Sequence, residues 1–363
     1  MRSRALLVAL FVTALGLGGQ EAAWSSHDLG LFELDANTAD GAAAGSDWRS
    51  LFPRSLRRDE MARVHVADGA APPQDTSYFT GGGSKDSNDV TAWRHTTGDV
   101  APDKNEITNA FAVAYRSERD TGRNDVGDLL LYFGLDRYAN SGDAQVGFWF
   151  FRAAVGLRSS GLFGGSHIRG DLLVLSDFTQ GGKIGTVRVY RWVGSGGSDG
   201  ALDLLVSGRM CNGDLRDDVA CAAANGSAVS LPWPYESKTG TATAPAGAFY
   251  EGGINLTRLM GGRTPCLKAF MAETRSSQSL DAQLKDFALG PFDTCPVTTA
   301  TVGPPPAGTV PRAGPPPVSG PQIPASGPSG MVVRFLLGTT LIAAGIRLRR
   351  RGATVGVSLG SLP

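Results

Sequence analysis

The 363-residue sequence predicts an all-β protein, a two-sheet β-sandwich. Three observations carry that expectation. Short apolar runs recur between turn residues: Phe111–Arg116, Leu129–Tyr138, Gln145–Val155, Asp171–Phe178, Thr186–Val193 and Leu202–Gly208, with later ones at Phe249–Glu251, Cys266–Thr274 and Leu284–Leu289. No long run of helical period separates them, which argues against an alternating α/β order. Glycine is abundant, at 49 residues, and much of it lies between the runs, as many turns and short strands require.

Taken in order, the chain begins with Arg2 and Arg4 before the apolar run Ala5–Gly18, with small residues near Ala22–Ser26. This is the layout of a helical secretory signal, assigned to residues 1–25. A sandwich domain then spans 29–296. It opens with Phe32-Glu33-Leu34-Asp35, alternating as a strand does. Residues 49–73 are mixed, charged and weakly patterned, and read as a loop or partly ordered insert. From Tyr78 the pattern sharpens. Val146–Phe151 is apolar on both faces and marks a central strand buried between two layers. Thr186–Val193 alternates in part and reads as half-exposed. Short helices are expected at Ile254–Met260 and near Ser279–Leu284.

After Pro296 the composition changes. Residues 297–330 are rich in Pro and Gly, which build no core but hold a stiff polyproline-II stalk. Residues 331–346 are apolar and read as a transmembrane helix. Residues 347–363 begin Arg347-Leu348-Arg349-Arg350-Arg351, a basic tail that stays cytoplasmic. As a helix the apolar run rises roughly 24 Å, less than the ~30 Å hydrocarbon core, which suits a temporary stop. The ends together predict an exported protein held at the cell surface by membrane or wall.

Formal net charge is zero and the sequence of the body suggests no basic patch, so a nucleic-acid partner is not expected. The four cysteines, Cys211, Cys221, Cys266 and Cys295, all lie in the exported body and read as two disulfides. Three pairings are open; Cys211–Cys221 with Cys266–Cys295 is favoured, because each closes a local loop. No Cys-x-x-Cys pair supports zinc, and His27, His65, His95 and His167 have no metal-type spacing.

Carboxylates cluster beside turn residues. Asp86, Asp89, Asp103 and Asn105 are the set that would suit Ca²⁺, a cation that takes 6–8 oxygens at loose geometry; otherwise the chain needs no cofactor. Pro232-Trp233-Pro234-Tyr235 holds two aromatic rings in an extended segment, so Trp233 and Tyr235 are the residues expected to stack on a sugar ligand. Arg169-Gly170-Asp171 matches an integrin-type tripeptide but runs into an apolar strand and reads as a turn. Gly196-Gly197-Ser198-Asp199-Gly200 fits Gly-x-Ser-x-Gly without the strand and helix a nucleophile elbow needs. Glu33-Leu34-Asp35 begins like a glucanase motif, but Thr38 stands where the second Glu belongs, so half of a glycosidase pair is absent.

Two resemblances add to this. Ile323-Pro324-Ala325-Ser326-Gly327, followed by the apolar segment and positive tail, resembles the sorting signals of Gram-positive wall proteins. Ile323 and Ser326 replace the usual Leu and Thr, and a sortase would cut between Ser326 and Gly327. The body, through Phe32–Asp35, Asp47-Trp48, Gly82–Asp86 with Asn88–Val90, Pro102–Ala110, Gly134–Tyr138, Gly142–Phe150, Gly170–Phe178 and Glu273–Ser277, resembles uncharacterised secreted actinobacterial cell-surface proteins. That resemblance covers Leu29–Cys295 and implies one jelly-roll, concanavalin-like domain with no established activity. The expected function is a surface-anchored binding or adhesion module for an envelope or extracellular glycan or protein ligand, and not an enzyme. The alternatives are a wall- or glycan-modifying hydrolase and a structural envelope protein with no small ligand.

Overall fold

Alternation of side chains at a period of two, on strands covered from both sides, organises the whole domain. The computed structural model describes residues 31–295, apart from 42–44, 53, 70–74, 76, 98–100, 119, 121–123, 143, 180–182, 195–201 and 212–218. The signal, stalk, apolar segment, basic tail and sorting pentapeptide lie outside the described residues. Residues 1–299 form one unit and 300–363 another, and every described element belongs to the first. Among the described residues no helix is long and apolar enough to cross a membrane.

The strands in chain order are β1 (Glu60–Ala67), β2 (Tyr78–Phe79), β3 (His95–Thr96), β4 (Ile107–Arg116), β5 (Leu129–Arg137) and β6 (Ala144–Phe151). They continue with β7 (Gly156–Leu157), β8 (Phe163–Gly164), β9 (Leu172–Thr179), β10 (Lys183–Trp192), β11 (Leu202–Met210) and β12 (Ala220–Ala224). The last are β13 (Val229–Ser230), β14 (Thr243–Ala244), β15 (Phe249–Asn255), β16 (Ala269–Arg275) and β17 (Leu284–Pro291). Two four-residue helices, α1 (Trp48–Leu51) and α2 (Leu256–Leu259), interrupt them.

One layer runs β1-β4-β5-β15-β12 and the other β11-β10-β9-β6-β16-β17-β2-β3, antiparallel throughout except where β11 meets β12. That short parallel contact, Arg209 opposite Cys221 and Met210 opposite Ala222, joins the layers along one edge. Alternation then assigns the faces. On β4, Ala110, Ala112 and Ala114 point into the core between the layers, while Phe111, Val113 and Tyr115 point outward. On β6, Val146, Phe148 and Phe150 face the core, while Trp149 and Phe151 face out. These outward faces are also buried. Phe32, Leu34, Trp48, Leu51 and Trp233 cover one; Phe79, Val90, Trp93, Phe163 and Trp192 cover the other. The result is three apolar strata around two sheets, which is why Val146–Phe151 is apolar at every position, as its sequence predicts.

Three expectations are corrected. Residues 49–73 contain β1, an eight-residue strand paired along β4 from Glu60↔Tyr115 to Ala67↔Asn109. Its inward residues Ala62, Val64 and Val66 alternate with Arg63 and His65, and an edge strand needs only one apolar face. Phe32–Asp35 is not a strand; Phe32 makes an isolated bridge to Ser46. The Ser279–Leu284 segment is a turn leading into β17, closed by Ala282 N donating to Ser279 O.

Candidate functional site

Both disulfides form in the favoured pairing, Cys211–Cys221 and Cys266–Cys295. The second stands beside the feature with the plainest chemistry, a half-open pocket of about 530 Å³ walled by Arg152, Arg169, Arg191 and Arg263, with Met260 and Pro265 supplying apolar surface. None of its lining side chains is acidic. Arg191 lies on β10 and Arg152 directly follows β6; both strands are hydrogen-bonded to β9, so the sheet sets these two guanidiniums one on each side of β9. Arg169 comes from the turn that enters β9, and Arg263 from the loop between α2 and Cys266.

That turn is built around Asp171. Its Oδ1 accepts from Arg152 N at 2.8 Å, and its Oδ2 accepts from Ile168 N at 3.1 Å and lies 3.0 Å from His167 Nδ1. Gly170 N donates to Trp192 O and Trp192 N to Asp171 O, both at 2.8 Å, so the turn is tied to the end of β10. Gly170 has a φ of +98°, and a Cβ there would sit 3.0 Å from Arg152 Nη1; only glycine fits both demands. Arg152 Nη1 donates to Arg169 O at 2.5 Å. Arg191 pairs with Asp203 at 3.4 Å on an exposed side. The Nε atoms of Arg152 and Arg191 are buried and meet no acceptor among the described residues. The tripeptide Arg169-Gly170-Asp171 is thus a turn before a strand, as its sequence predicts, with Asp171 fully buried.

The residues expected to bind ligand do other work. Trp233 and Tyr235 are only 8% and 9% exposed. Trp233 Nε1 donates to Asp136 Oδ2 at 2.7 Å, its ring stacks on His65, and Tyr235 OH donates to Arg137 O at 2.9 Å. Neither ring offers a free face to a sugar; the flanking prolines extend the segment across the outer face of the first layer, not out into solvent.

The four expected metal ligands are dispersed among separate tasks. Asp86 is buried, accepts from Trp149 Nε1 at 2.8 Å and pairs with Arg275 at 2.7 Å. Asp89 caps the turn Val90–Ala92 through Thr91 N and receives His167 N at 3.0 Å. Asp103 is exposed and pairs with Lys238. Asn105 Nδ2 lies 3.5 Å from Arg275 O. Carboxylates do converge elsewhere: Asp68, Asp75 and Asp286 bring ligand-type atoms within 4.8 Å of one another.

Seven buried carboxyls, Asp177 among them, are shifted upward, each first by desolvation. Asp47 rises to about 8, Glu106 to about 9 and Asp136 to about 7. Glu251, Glu273 and Asp286 rise well above the carboxylate range. After burial, the main cause at Glu273 is the Asp86 charge beside it, and at Glu251 the Asp47 charge. Asp86 and Glu273 also lie side by side, but both are fully buried, Asp86 beneath the Trp149 indole that donates to it, and a Cβ on Gly147 would collide with Glu273 Oε1. Substrate has no access to them.

No local sequence signal marks the arginine pocket, because its residues are scattered over more than a hundred positions. Comparison with known proteins gives no match: no family model, no curated protein and no solved structure matches the chain.

Proposed function

We propose that the chain is an exported, surface-anchored β-sandwich that binds a ligand at the arginine-walled pocket and does not transform it. The observation that carries this reading is the contrast between that open pocket and the burial of every strongly shifted carboxyl. A glycosidase needs two carboxyls flanking an accessible groove; the strongly shifted carboxyls here are buried. Two disulfides suit an oxidising compartment, in keeping with export. The jelly-roll resemblance, the wall-sorting-like tail and the stalk support display beyond the membrane. The partner on this reading is an envelope or extracellular glycan or matrix ligand, with the membrane or a sortase product as the tether.

The test is direct. Full-length protein is applied to wall polysaccharides, host glycans and matrix proteins, and the same mixtures are analysed for released sugars. Binding without cleavage is expected. Cleavage would establish the hydrolase alternative, and silence on every surface would leave the structural envelope role. Intact mass of native protein released by muramidase should show a chain ending at Ser326; detergent release of a chain ending at Pro363 refutes wall sorting.

A further inference from the structure

We propose that the arginine pocket recognises an oxyanion ester carried on a polysaccharide, a sugar unit bearing phosphate or sulfate. This deepens the binding reading above and rests on it. Four guanidiniums surround one space with no acidic lining residue. A guanidinium stays charged at any physiological pH and cannot relieve crowding by losing its proton. Four of them side by side therefore call for anionic charge from outside. The Arg191–Asp203 pair does not supply it: at 3.4 Å between two exposed side chains it contributes little.

The hydrogen-bond pattern sharpens the ligand class. Arg152 Nε and Arg191 Nε are buried and out of reach of solvent, so an oxyanion in the pocket is met by the Nη groups of the arginines that line it. The two Nη groups of one guanidinium form a planar fork that grips two oxygens of a phosphate or sulfate at once. Arg152 is also held in place, its Nη1 bound to Arg169 O and its backbone N to Asp171, so little side-chain freedom is lost when an oxyanion arrives. Arg169 and Arg263 are exposed at the rim, placed to meet a neighbouring charged unit of a chain. Met260 and Pro265 give the carbon face of a sugar an apolar wall, and about 530 Å³ lies within the range of small-ligand sites. The whole chain carries no net charge, so attraction of a polyanion must come from this local cluster and not from a general field.

The experiment measures binding of full-length protein to fluorescent dextran phosphate, to dextran sulfate and to neutral dextran, at low and physiological salt. We expect binding to at least one charged polymer, none to dextran, and weakening with salt. The polymer preferred assigns phosphate or sulfate. Arg152→Gln with Arg191→Gln should weaken binding by about tenfold or more. Should that double variant fold poorly, Arg169→Gln with Arg263→Glu, both at exposed positions, decides the matter by the same loss. Lysine at 152 and 191 keeps charge but removes the fork, and should restore only part of the affinity. Wild-type affinity in the rim variant, or equal binding of dextran and charged polymers, overturns the inference. Binding to neutral glycans alone would leave the binding role standing and refute only the oxyanion; binding to acidic proteins or nucleic acid in preference to both charged polymers would refute it as well.

Discussion

Carboxyls and guanidiniums meet opposite fates in this sandwich. Glu251, Glu273, Asp286 and Asp136 are fully buried with their pKa values pushed upward, whereas Arg152, Arg169, Arg191 and Arg263 gather around an open pocket. The difference follows from what each group can do about desolvation. A buried carboxyl can keep its proton and enter the interior as a neutral hydrogen-bonding group. An arginine cannot, so it is buried only against a dedicated partner. Arg275 has Asp86, and Arg137 has the carbonyls of Gly247 and Lys104. Shifted acids in this fold therefore report on structure, and unshielded arginines report on what comes from outside.

The largest expected effect tests the buried exception. Asp86→Asn leaves the Arg275 guanidinium without its counter-charge, and breaking a buried pair costs about 3–5 kcal/mol. Glu273 lies beside Asp86 and is held protonated partly by its charge. With Asp86 neutral, Glu273 can ionise toward Arg275 and soften the loss. Asp86→Asn should thus cost more in a Glu273→Gln background than alone, read by urea unfolding. Equal costs in both backgrounds would show that Glu273 is no reserve.

Next in size are the disulfides. Removing Cys266–Cys295 by double serine substitution should cost about 3–4 kcal/mol, against about 2–3 for Cys211–Cys221, whose loop is shorter: 10 residues of separation against 29. The comparison is sharper in binding. Pro265 and Arg263 lie just before Cys266, so the first variant should lose ligand affinity beyond its stability cost while the second should not. Equal affinity in two folded variants would detach the pocket from its clamp.

The shifted acids predict an acid-leaning stability profile. The sign comes from proton counts. Between the unfolded value of 3.8 and the folded value of about 7, folded Asp136 holds a proton that the unfolded chain has released. Stability therefore falls as pH rises through that window, by about 1.4 kcal/mol per unit for each such group. Melting temperature should be higher at pH 5 than at pH 8, and Glu273→Gln should make the decline shallower by one proton's worth. A flat or rising profile would mean that these carboxyls are ionised in the folded protein.

How much of the fold and the pocket is legible in the sequence depends on distance along the chain. Alternation within β4 and β6 is local, so both strands are readable from Ala110-Phe111-Ala112-Val113 and Val146–Phe151. The favoured disulfide loops are local too. β1 is local as well, in the alternation Ala62-Arg63-Val64-His65-Val66, but the charged residues just before that stretch, Arg54 to Glu60, make the whole segment read as weakly patterned. Trp233 resembles a surface ring because prolines flank it; its indole finds Asp136 from 97 positions away, and only the fold supplies that acceptor. The pocket is invisible in the sequence for the same reason. Each of its arginines is a single cation in its own segment, and a charge count that sums to zero hides them.

The smallest stability change is expected at the pocket itself, and it separates a site built for a ligand from one built for the fold. Arg169 and Arg263 are exposed and their removal uncovers no core, so Arg169→Gln with Arg263→Gln should change unfolding free energy by no more than about 0.5 kcal/mol for each substitution. Mutual repulsion among four cations even favours a slight gain, largest at low ionic strength, where screening is weakest. A structural role predicts the reverse, a loss that salt does not relieve. If the variant is destabilised by several kcal/mol at all salt concentrations, the rim arginines hold the turn before β9 to the loop before Cys266, and the contrast between buried acids and open arginines fails. If stability holds or rises while affinity for the charged polymer drops, the cluster is retained at a cost to the fold, which a ligand, and not packing, accounts for.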